Sequence, residues 1–159
     1  MLPQYEIRHL IAAGGMGAVY AGTQRALNRP IAIKILPPDA AKDGESIGRF
    51  RTEARAMARL SHPNIPTVFD FDVSAGYCYL AMEYIDGPNL QELVEEHGPL
   101  PIGTASDFVR QTAIALQFAY EHGMVHRDIK PANLLVHQAQ GTKTVQVKIL
   151  DFGLARLQQ

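Results

Sequence analysis

The sequence predicts an α+β fold, in which a small antiparallel β-sheet with one helix precedes a mainly helical part. Three observations predict it. Short apolar segments around a glycine-rich turn open the chain, a helical pattern and two further strand patterns follow, and more helical patterns come after Asp86-Gly87-Pro88. This order, with strands first and helices later, is typical of an α+β protein.

The first half is predicted to form one sheet and one helix. The segments with the apolar character of strands are residues 5–7, 19–21, 31–36, 67–73 and 77–83. The glycine turn separates the first two, and Pro37-Pro38 closes the third. A helix is expected after the third strand, because apolar residues recur there at steps of three or four: Ile47, Phe50, Ala54, Met57 and Leu60.

The second half is predicted to be mainly helical. Residues 90–96 form a short helix and residues 104–122 a longer one, which Gly123 caps. Five residues share the apolar face of the longer helix: Phe108, Val109, Thr112, Leu116 and Ala119. Two short strands follow, residues 134–136 and 145–150, with residues 137–143 as a hairpin loop between them. We therefore expect two parts, residues 1–85 and residues 86–159.

Composition excludes several classes of protein. The chain has 15 basic and 16 acidic residues and a formal net charge of −1, without the basic excess typical of nucleic-acid binding or of a polybasic membrane anchor. The single cysteine, Cys78, rules out an internal disulfide framework and favours a reducing compartment. The N-terminus lacks the pattern of a secretory signal, and no apolar run is long enough to span a bilayer. We expect a cytoplasmic protein.

Most of the chemical information lies in residues 125–134, Val-His-Arg-Asp-Ile-Lys-Pro-Ala-Asn-Leu, which place an acid, a cation and an amide in one short loop after a helix. Asp151-Phe152-Gly153 follows further along the chain. Upstream lie the glycine-rich turn, residues 12–19, and Lys34 within an apolar strand. A polar loop after a helix would explain one or two of these features, but it does not explain the whole set in this order.

Together and in this order, these four segments resemble the protein kinase family, and the lysine two places after Asp128 resembles its Ser/Thr branch. The Gly-Gly-Met-Gly turn followed by Val-Tyr is similar to the bacterial branch of Ser/Thr kinases. The resemblance implies a sheet lobe with one helix plus the first part of the helical lobe. It also implies a reaction, transfer of the γ-phosphoryl group of ATP to a Ser or Thr hydroxyl of a protein substrate, with Mg²⁺ as cofactor.

The resemblance assigns roles to the loop residues. Asp128 would accept the proton of the incoming hydroxyl, and Lys130 would steady the transferred phosphoryl group. Asn133 and Asp151 would hold the metal ions, since carboxylate and amide oxygens are the hard ligands that magnesium prefers.

Lys34 needs an anion, because an unpaired ammonium among apolar residues is costly. The resemblance supplies two, the phosphates of ATP and the carboxylate of Glu53. In the glycine turn, backbone amides would come close to phosphate oxygens, although Ala12 replaces the first glycine of the family pattern. The residues that would contact the nucleotide are Ala12, Ala13, Gly14, Gly15, Met16, Gly17, Val19, Ala32, Lys34, Met82, Glu83, Tyr84, Ile85 and Leu135.

The resemblance covers only the first part of a kinase catalytic domain, because Gln159 lies six residues beyond Gly153. We therefore expect a truncated domain of impaired activity, with an uncovered apolar face on helix 104–122 that favours association. Two other interpretations stay open: a non-catalytic ATP-binding pseudokinase or scaffold, and an inactive gene fragment. The Lys130-Pro131 pair favours a protein kinase over a small-molecule kinase.

Overall fold

The structure, a computed structural model, describes residues 2–14, 17–36, 44–74, 76–138, 141 and 144–152, without the side chains of residues 45, 46, 49 and 53. The described residues fall into two compact units. The first consists of the described residues up to Arg59 together with Thr67–Tyr84, and the second consists of Leu60–Pro66 together with residues 85–152. The chain therefore enters the second unit through a short loop before it returns to the first.

A five-stranded antiparallel sheet forms most of the first unit. Its strands are β1 (Tyr5–Gly14), β2 (Gly17–Gln24), β3 (Arg29–Ile35), β4 (Val68–Ser74) and β5 (Tyr77–Glu83), in the spatial order β1-β2-β3-β5-β4. One helix, α1 (Gly44–Met57), comes between β3 and β4 in sequence. The first strand is longer than the predicted segment, residues 5–7. The prediction stopped too early because the residues after Tyr5 are exposed and lack the apolar alternation from which a half-buried strand is predicted.

Each face of the sheet buries a separate apolar cluster. Successive strand residues point to opposite faces, so β5 contributes to both clusters, with Cys78 and Leu80 on one face and Tyr79 and Ala81 on the other. One face packs against α1 through Leu36, Phe50, Ala54, Cys78 and Leu80. The other face contains Tyr5, Ile31, Ile33, Tyr79 and Ala81. Each fully buried large side chain contributes about 1.5–3 kcal/mol to folding, so these clusters hold the sheet together.

A hydrogen-bond network fixes the N-terminal end of the first unit. The hydroxyl of Tyr5 donates to Asp70 Oδ2 at 2.6 Å, and the hydroxyl of Tyr79 donates to the same oxygen at 3.2 Å. Gln4 Nε2 donates to the Tyr79 hydroxyl at 2.8 Å. Burial, together with the nearby Asp70 carboxylate, raises the pKa of Tyr79 to about 12 and also raises the pKa of Tyr5. The network therefore ties the start of β1 to β4 and β5.

We expect Tyr5→Phe to lower the free energy of unfolding by about 1.5 kcal/mol at neutral pH, because a hydrogen bond to a carboxylate is lost. The phenols of Tyr5 and Tyr79 have higher pKa values in the folded protein than in the unfolded chain, where the tyrosine pKa is about 10. Their contribution to stability is therefore complete below about pH 10 and is lost as the pH rises from there through the raised pKa values. Urea denaturation at about pH 8 and about pH 11 checks both statements. Wild type should lose more stability than Tyr5→Phe between these pH values, and equal losses would contradict the prediction. Tyr77→Phe, at an exposed tyrosine, is the matched control.

The second unit contains two helices and a two-stranded antiparallel ribbon. The helices are α2 (Leu90–His97) and α3 (Ile102–Glu121), and the ribbon strands are β6 (Leu134–Gln138) and β7 (Val145–Ile149). Asn89 and Glu92 form a capping box that begins α2. A short 3₁₀ turn, Pro131–Asn133, leads into β6. The predicted fold class is confirmed by this order of sheet, single helix and helical part.

The predicted uncovered stripe on α3 was wrong. Phe108, Thr112 and Ala119 are buried, and α3 packs against β7. Val109 is 69% exposed, because it lies about 100° around the helix from Phe108 and points to solvent. Leu116 is half-buried. A five-residue strand remote in sequence covers this face, and helical periodicity alone does not show which element packs on a helix. The burial of these residues therefore removes the reason for which we expected the chain to associate.

Gly87 allows a close backbone approach at the start of the second unit. Its φ is 152°, and a Cβ at this position would lie 2.0 Å from the carbonyl oxygen of Val136. The next residue, Pro88, accepts a hydrogen bond from Val136 N at 2.9 Å. The chain before α2 therefore lies directly on β6, at a distance that only glycine tolerates.

Neither α1, α2 nor α3 has the length and apolar character needed to cross a membrane, and these are the α-helices of the described residues.

Candidate active site

Four of the predicted nucleotide contacts lie on one face of the five-stranded sheet. Val19 pairs with Lys34, and Ala32 pairs with Met82. Residues directly opposite each other in antiparallel strands point to the same face, and so do residues two apart in one strand. Lys34 is only 3% exposed. Strand pairing therefore gathers one buried ammonium and three apolar side chains on a common surface.

The glycine turn contains two glycines with different structural requirements. Gly17 has φ 106°, and a Cβ there would lie 2.1 Å from the carbonyl oxygen of Ile35, so the sheet itself requires glycine. A Cβ on Gly14 would meet nothing within 4 Å, and Gly14 is not among the residues with positive φ. The fold therefore requires glycine at position 17 for steric reasons, but it does not require glycine at position 14.

The other predicted positions of the first unit are placed only in part. Ala12 and Ala13 lie near the end of β1, where they pair with β2. Gly15, Met16 and the side chain of Glu53 lie outside the described residues. The ion pair between Lys34 and Glu53 therefore stays a prediction.

The connection after the sheet begins at Glu83, the last residue of β5. Its N–H donates to Thr67 O at 2.8 Å, and its Oε2 accepts from Thr67 N at 3.1 Å, so its backbone is fixed on one side. Tyr84 ends the first unit, and Ile85 begins the return to the second. Leu135 lies half-buried on β6 in the second unit.

Asp128, Lys130 and Asn133 form a bonded cluster in the second unit. Lys130 Nζ lies 2.9 Å from Asp128 Oδ2. Asn133 Nδ2 donates to Asp128 O at 2.8 Å and to Asp128 Oδ2 at 3.1 Å. The hydrogen bond from Lys130, with smaller contributions from Asn133 and the charge of Lys130, holds the pKa of Asp128 below its ordinary value. The carboxylate is therefore ionised at neutral pH, which a proton acceptor requires.

His126 connects this loop to the segment before Asp151. Its Nε2 donates to Leu150 O at 2.6 Å, and its Nδ1 accepts from Asp128 N at 3.2 Å. Only the neutral tautomer with its proton on Nε2 satisfies both bonds. The ring is 2% exposed and meets Phe152 edge-on, with the ring centroids 4.8 Å apart. One imidazole therefore fixes the backbone of two predicted site segments.

The β6–β7 ribbon brings Asn133 and Asp151 to the same end. Leu134 pairs with Ile149, and Leu150 N donates to Asn133 O at 2.8 Å. Asn133 directly precedes β6, and Asp151 comes two residues after the last residue of β7. The two predicted metal ligands are distant in sequence, and the pairing of these strands makes them neighbours.

The chemistry of these donors fits magnesium. Asn133 directs both hydrogens of Nδ2 to Asp128, which leaves Oδ1 as its side-chain atom for a cation. Asp151 adds a carboxylate, and Mg²⁺ binds through one or two carboxylates together with substrate phosphates.

Two backbone outliers occur in this region. Arg127 has φ 68° and Asp151 has φ 59°, in the left-handed region that non-glycine residues seldom adopt. Such residues cluster at active sites, because the surrounding structure must hold them there. Their positions, beside Asp128 and at the second predicted metal ligand, agree with a functional site.

Two buried amides of the second unit had no predicted role. Asn64 and Gln111 are 7% and 8% exposed, and both hydrogen-bond the backbone of β7. The position of Gln111, an amide beside the predicted buried face of α3 and next to Thr112, could have indicated a buried hydrogen-bonding role.

Comparisons with known proteins identify the family of this arrangement. The protein kinase domain model matches residues 5–159. Serine/threonine-protein kinase PknA of Mycobacterium tuberculosis is 42% identical over 158 residues, which cover 96% of this chain and 36% of the relative. Serine/threonine-protein kinase PknB of Mycobacterium leprae is 39% identical over 157 residues, which cover 96% of this chain and 24% of the relative.

The fold is shared with a solved kinase domain. The crystal structure of the Mycobacterium tuberculosis PknI kinase domain has a TM-score of 0.82 and 31% sequence identity, over 97% of this chain and 61% of that chain. The chain thus spans 24–36% of the length of these two curated relatives. The chain belongs to the protein kinase family, in its bacterial Ser/Thr branch.

Proposed function

We propose that this chain carries the ATP-binding and metal-binding part of a Ser/Thr protein kinase, which transfers the γ-phosphoryl group of ATP to a Ser or Thr hydroxyl of a protein. The observation that carries the proposal is the cluster of Asp128, Lys130 and Asn133, in which the three side chains bond one another. Strand pairing places Asn133 beside the segment of Asp151.

Each residue of the cluster has a distinct task. The ionised Asp128 carboxylate accepts a hydrogen bond from the incoming hydroxyl, orients it and takes up its proton. The Lys130 ammonium, 2.9 Å from that carboxylate, stabilises the negative charge of the transferred group. Asn133 Oδ1 and the Asp151 carboxylate would hold Mg²⁺, and the bound ion would neutralise phosphate charge.

The sheet face of the first unit supports the nucleotide part of the proposal. Val19, Ala32 and Met82 provide an apolar surface suited to a purine ring, and Lys34 adds a cation for phosphates on the same face. Glu83 and Tyr84, at the end of the same unit, would offer backbone groups to the edge of the purine. We infer a cytoplasmic location, which ATP as substrate and the single cysteine of the sequence, Cys78, support.

Mg-ATP is expected to raise the melting temperature of the chain, and Asp151→Ala should remove the magnesium dependence of this rise. Gly14→Ala separates binding from folding, because the added methyl group meets no protein atom within 4 Å but would obstruct phosphates at the turn. We expect about ten-fold weaker ATP binding in Gly14→Ala, equivalent to one lost charged hydrogen bond, with an unchanged melting temperature of the free protein. Isothermal calorimetry and thermal-shift titration measure both quantities.

Gly103→Ala is the matched control, since Gly103 also has open space and is not among the residues with positive φ. It should leave ATP binding unchanged. A folded chain without any magnesium-dependent response to ATP would refute the proposed function.

A further inference from the structure

The outer edge of β7 is completed by side chains instead of by a third strand. β6 pairs with one edge of β7, and the backbone groups of the other edge would lack partners without further contacts. The structure satisfies four such groups: Val145 O, Val147 N, Val147 O and Ile149 N. The partners come from Gln111 on α3 and from Asn64 in the loop Leu60–Pro66.

Gln111 bonds β7 as a neighbouring strand would. Its Oε1 accepts from Val147 N at 2.9 Å, and its Nε2 donates to Val145 O at 3.1 Å. A primary amide carries the same pair of donor and acceptor as a peptide group, so one side chain replaces one residue of a strand. Nε2 also donates to Asp107 Oδ2 at 2.8 Å, within the same helix.

Asn64 continues the same edge. Its Nδ2 donates to Val147 O at 2.7 Å, and its backbone oxygen accepts from Ile149 N at 2.9 Å. Its Nδ2 also donates to Gln111 Oε1 at 2.9 Å, so the two amides bond each other as well as the strand.

The network works in one orientation of the Gln111 amide. A flipped amide would direct hydrogens at the donors Val147 N and Asn64 Nδ2, and its oxygen at the acceptors Val145 O and Asp107 Oδ2. Both amides are buried, and a buried polar group without a partner is costly. The bonds therefore fix the position of β7 along its own axis, relative to α3 and to the loop of Asn64.

This position matters because β7 runs directly into Leu150 and Asp151. A slip of one residue would carry Asp151 by about 3.3 Å and turn the buried side chains of β7 outward. We propose that Gln111 and Asn64 are positioning residues, which hold Asp151 at the proposed metal site through β7. The inference rests on the proposed function, since it concerns the same metal site.

The test replaces Gln111 with methionine, which keeps the length of the side chain and removes its hydrogen bonds. Mn²⁺ serves as the probe metal, and its affinity in the presence of ATP is measured by electron paramagnetic resonance. We expect at least about ten-fold weaker Mn²⁺ binding, the usual effect of losing a residue that orients a metal ligand. Metal-free adenosine binding should stay unchanged, whereas general loosening of the fold would weaken both. Hydrogen exchange at Val147 N should become faster.

Gln117→Met is the matched control, because Gln117 is an exposed amide of the same helix whose Nε2 donates to Glu121, one helical turn away, and not to β7. It should change none of the three readouts. Unchanged Mn²⁺ affinity in a folded Gln111→Met variant would overturn the inference, whatever the exchange data show. If Gln111→Met does not fold, the Mn²⁺ titration is repeated with Asn64→Ser. We expect about three-fold weaker Mn²⁺ binding in this variant, because one side-chain amide is lost, and unchanged affinity would overturn the inference. Absence of Mn²⁺ binding in wild type would instead refute the proposed function.

Discussion

Replacing Asp128 with alanine is expected to slow phosphoryl transfer by about a thousand-fold, in the middle of the range for loss of a positioned proton acceptor. The substitution removes the carboxylate that accepts the substrate proton, and it also removes the partner of Lys130 and Asn133. Transfer of labelled phosphate from ATP to a protein substrate rich in Ser and Thr measures the effect. ATP binding should change little, because Lys34 and the sheet face are unaffected.

Asp72→Ala is the control for Asp128→Ala, since Asp72 is an exposed carboxylate of the first unit. It should leave the rate of transfer unchanged. Equal rates in Asp128→Ala and wild type would show that the cluster does not carry the reaction.

The pH dependence of kcat/KM is a second test of Asp128 as the proton acceptor. The hydrogen bond from Lys130 lowers the pKa of Asp128, so wild type should keep this base ionised down to below the ordinary aspartate pKa of about 3.9. Lys130→Met removes the bond and lets the pKa rise, so the acid-side loss of kcat/KM should begin at higher pH. An unchanged acid limb in this variant would contradict the assignment of Asp128 as the base.

The largest expected effect on stability is that of Gly87→Ala, which should lower the free energy of unfolding by about 3 kcal/mol or more. The added Cβ would lie 2.0 Å from the carbonyl oxygen of Val136, and the residue would keep φ 152° only under strain. Urea denaturation with a probe in the second unit measures the loss.

Gly98→Ala separates the clash from the strain. Gly98 also has positive φ, 81°, but a methyl group added there would meet nothing within 4 Å. Its ψ of −168° lies in a region essentially restricted to glycine, so this variant should lose about 1–3 kcal/mol from strain alone, and Gly87→Ala should lose more because of the added clash. Equal losses in the two variants would show that the close approach of residue 87 to β6 does not stabilise the unit.

Sequence patterns predicted the elements that bury a regular set of side chains. The apolar run of residues 31–36 predicted β3, which is buried on both faces. The helical spacing of Ile47, Phe50, Ala54 and Met57 predicted α1, which buries one face and ends at Met57, before Leu60. The extent of β1 could not be predicted, since a strand held by backbone pairing with exposed side chains leaves no apolar period. The packing of β7 against α3 was not predicted either, because the two elements are distant in sequence and helical periodicity does not show which element a helix face contacts.

The candidate site shows the same division. Asp128, Lys130, Asn133 and Asp151 were selected as site residues from the sequence through the resemblance to the kinase motifs, because the chemistry that this family performs constrains side-chain identity. The supporting amides Asn64 and Gln111 were not, because any of several polar residues could complete a strand edge, and only the fold shows which ones do.

The loop Leu60–Pro66 has a consequence for how the chain can be divided. It belongs to the second unit, although the sequence on both sides of it belongs to the first. A polypeptide that starts at Ile85 would therefore lack Asn64 and leave Ile149 N and Val147 O without their bonds. No single cut within residues 59–85 yields two fragments that each contain one whole unit. Each such cut therefore leaves at least one fragment without part of its own unit, and we expect that fragment to be less stable than the same unit within the whole chain.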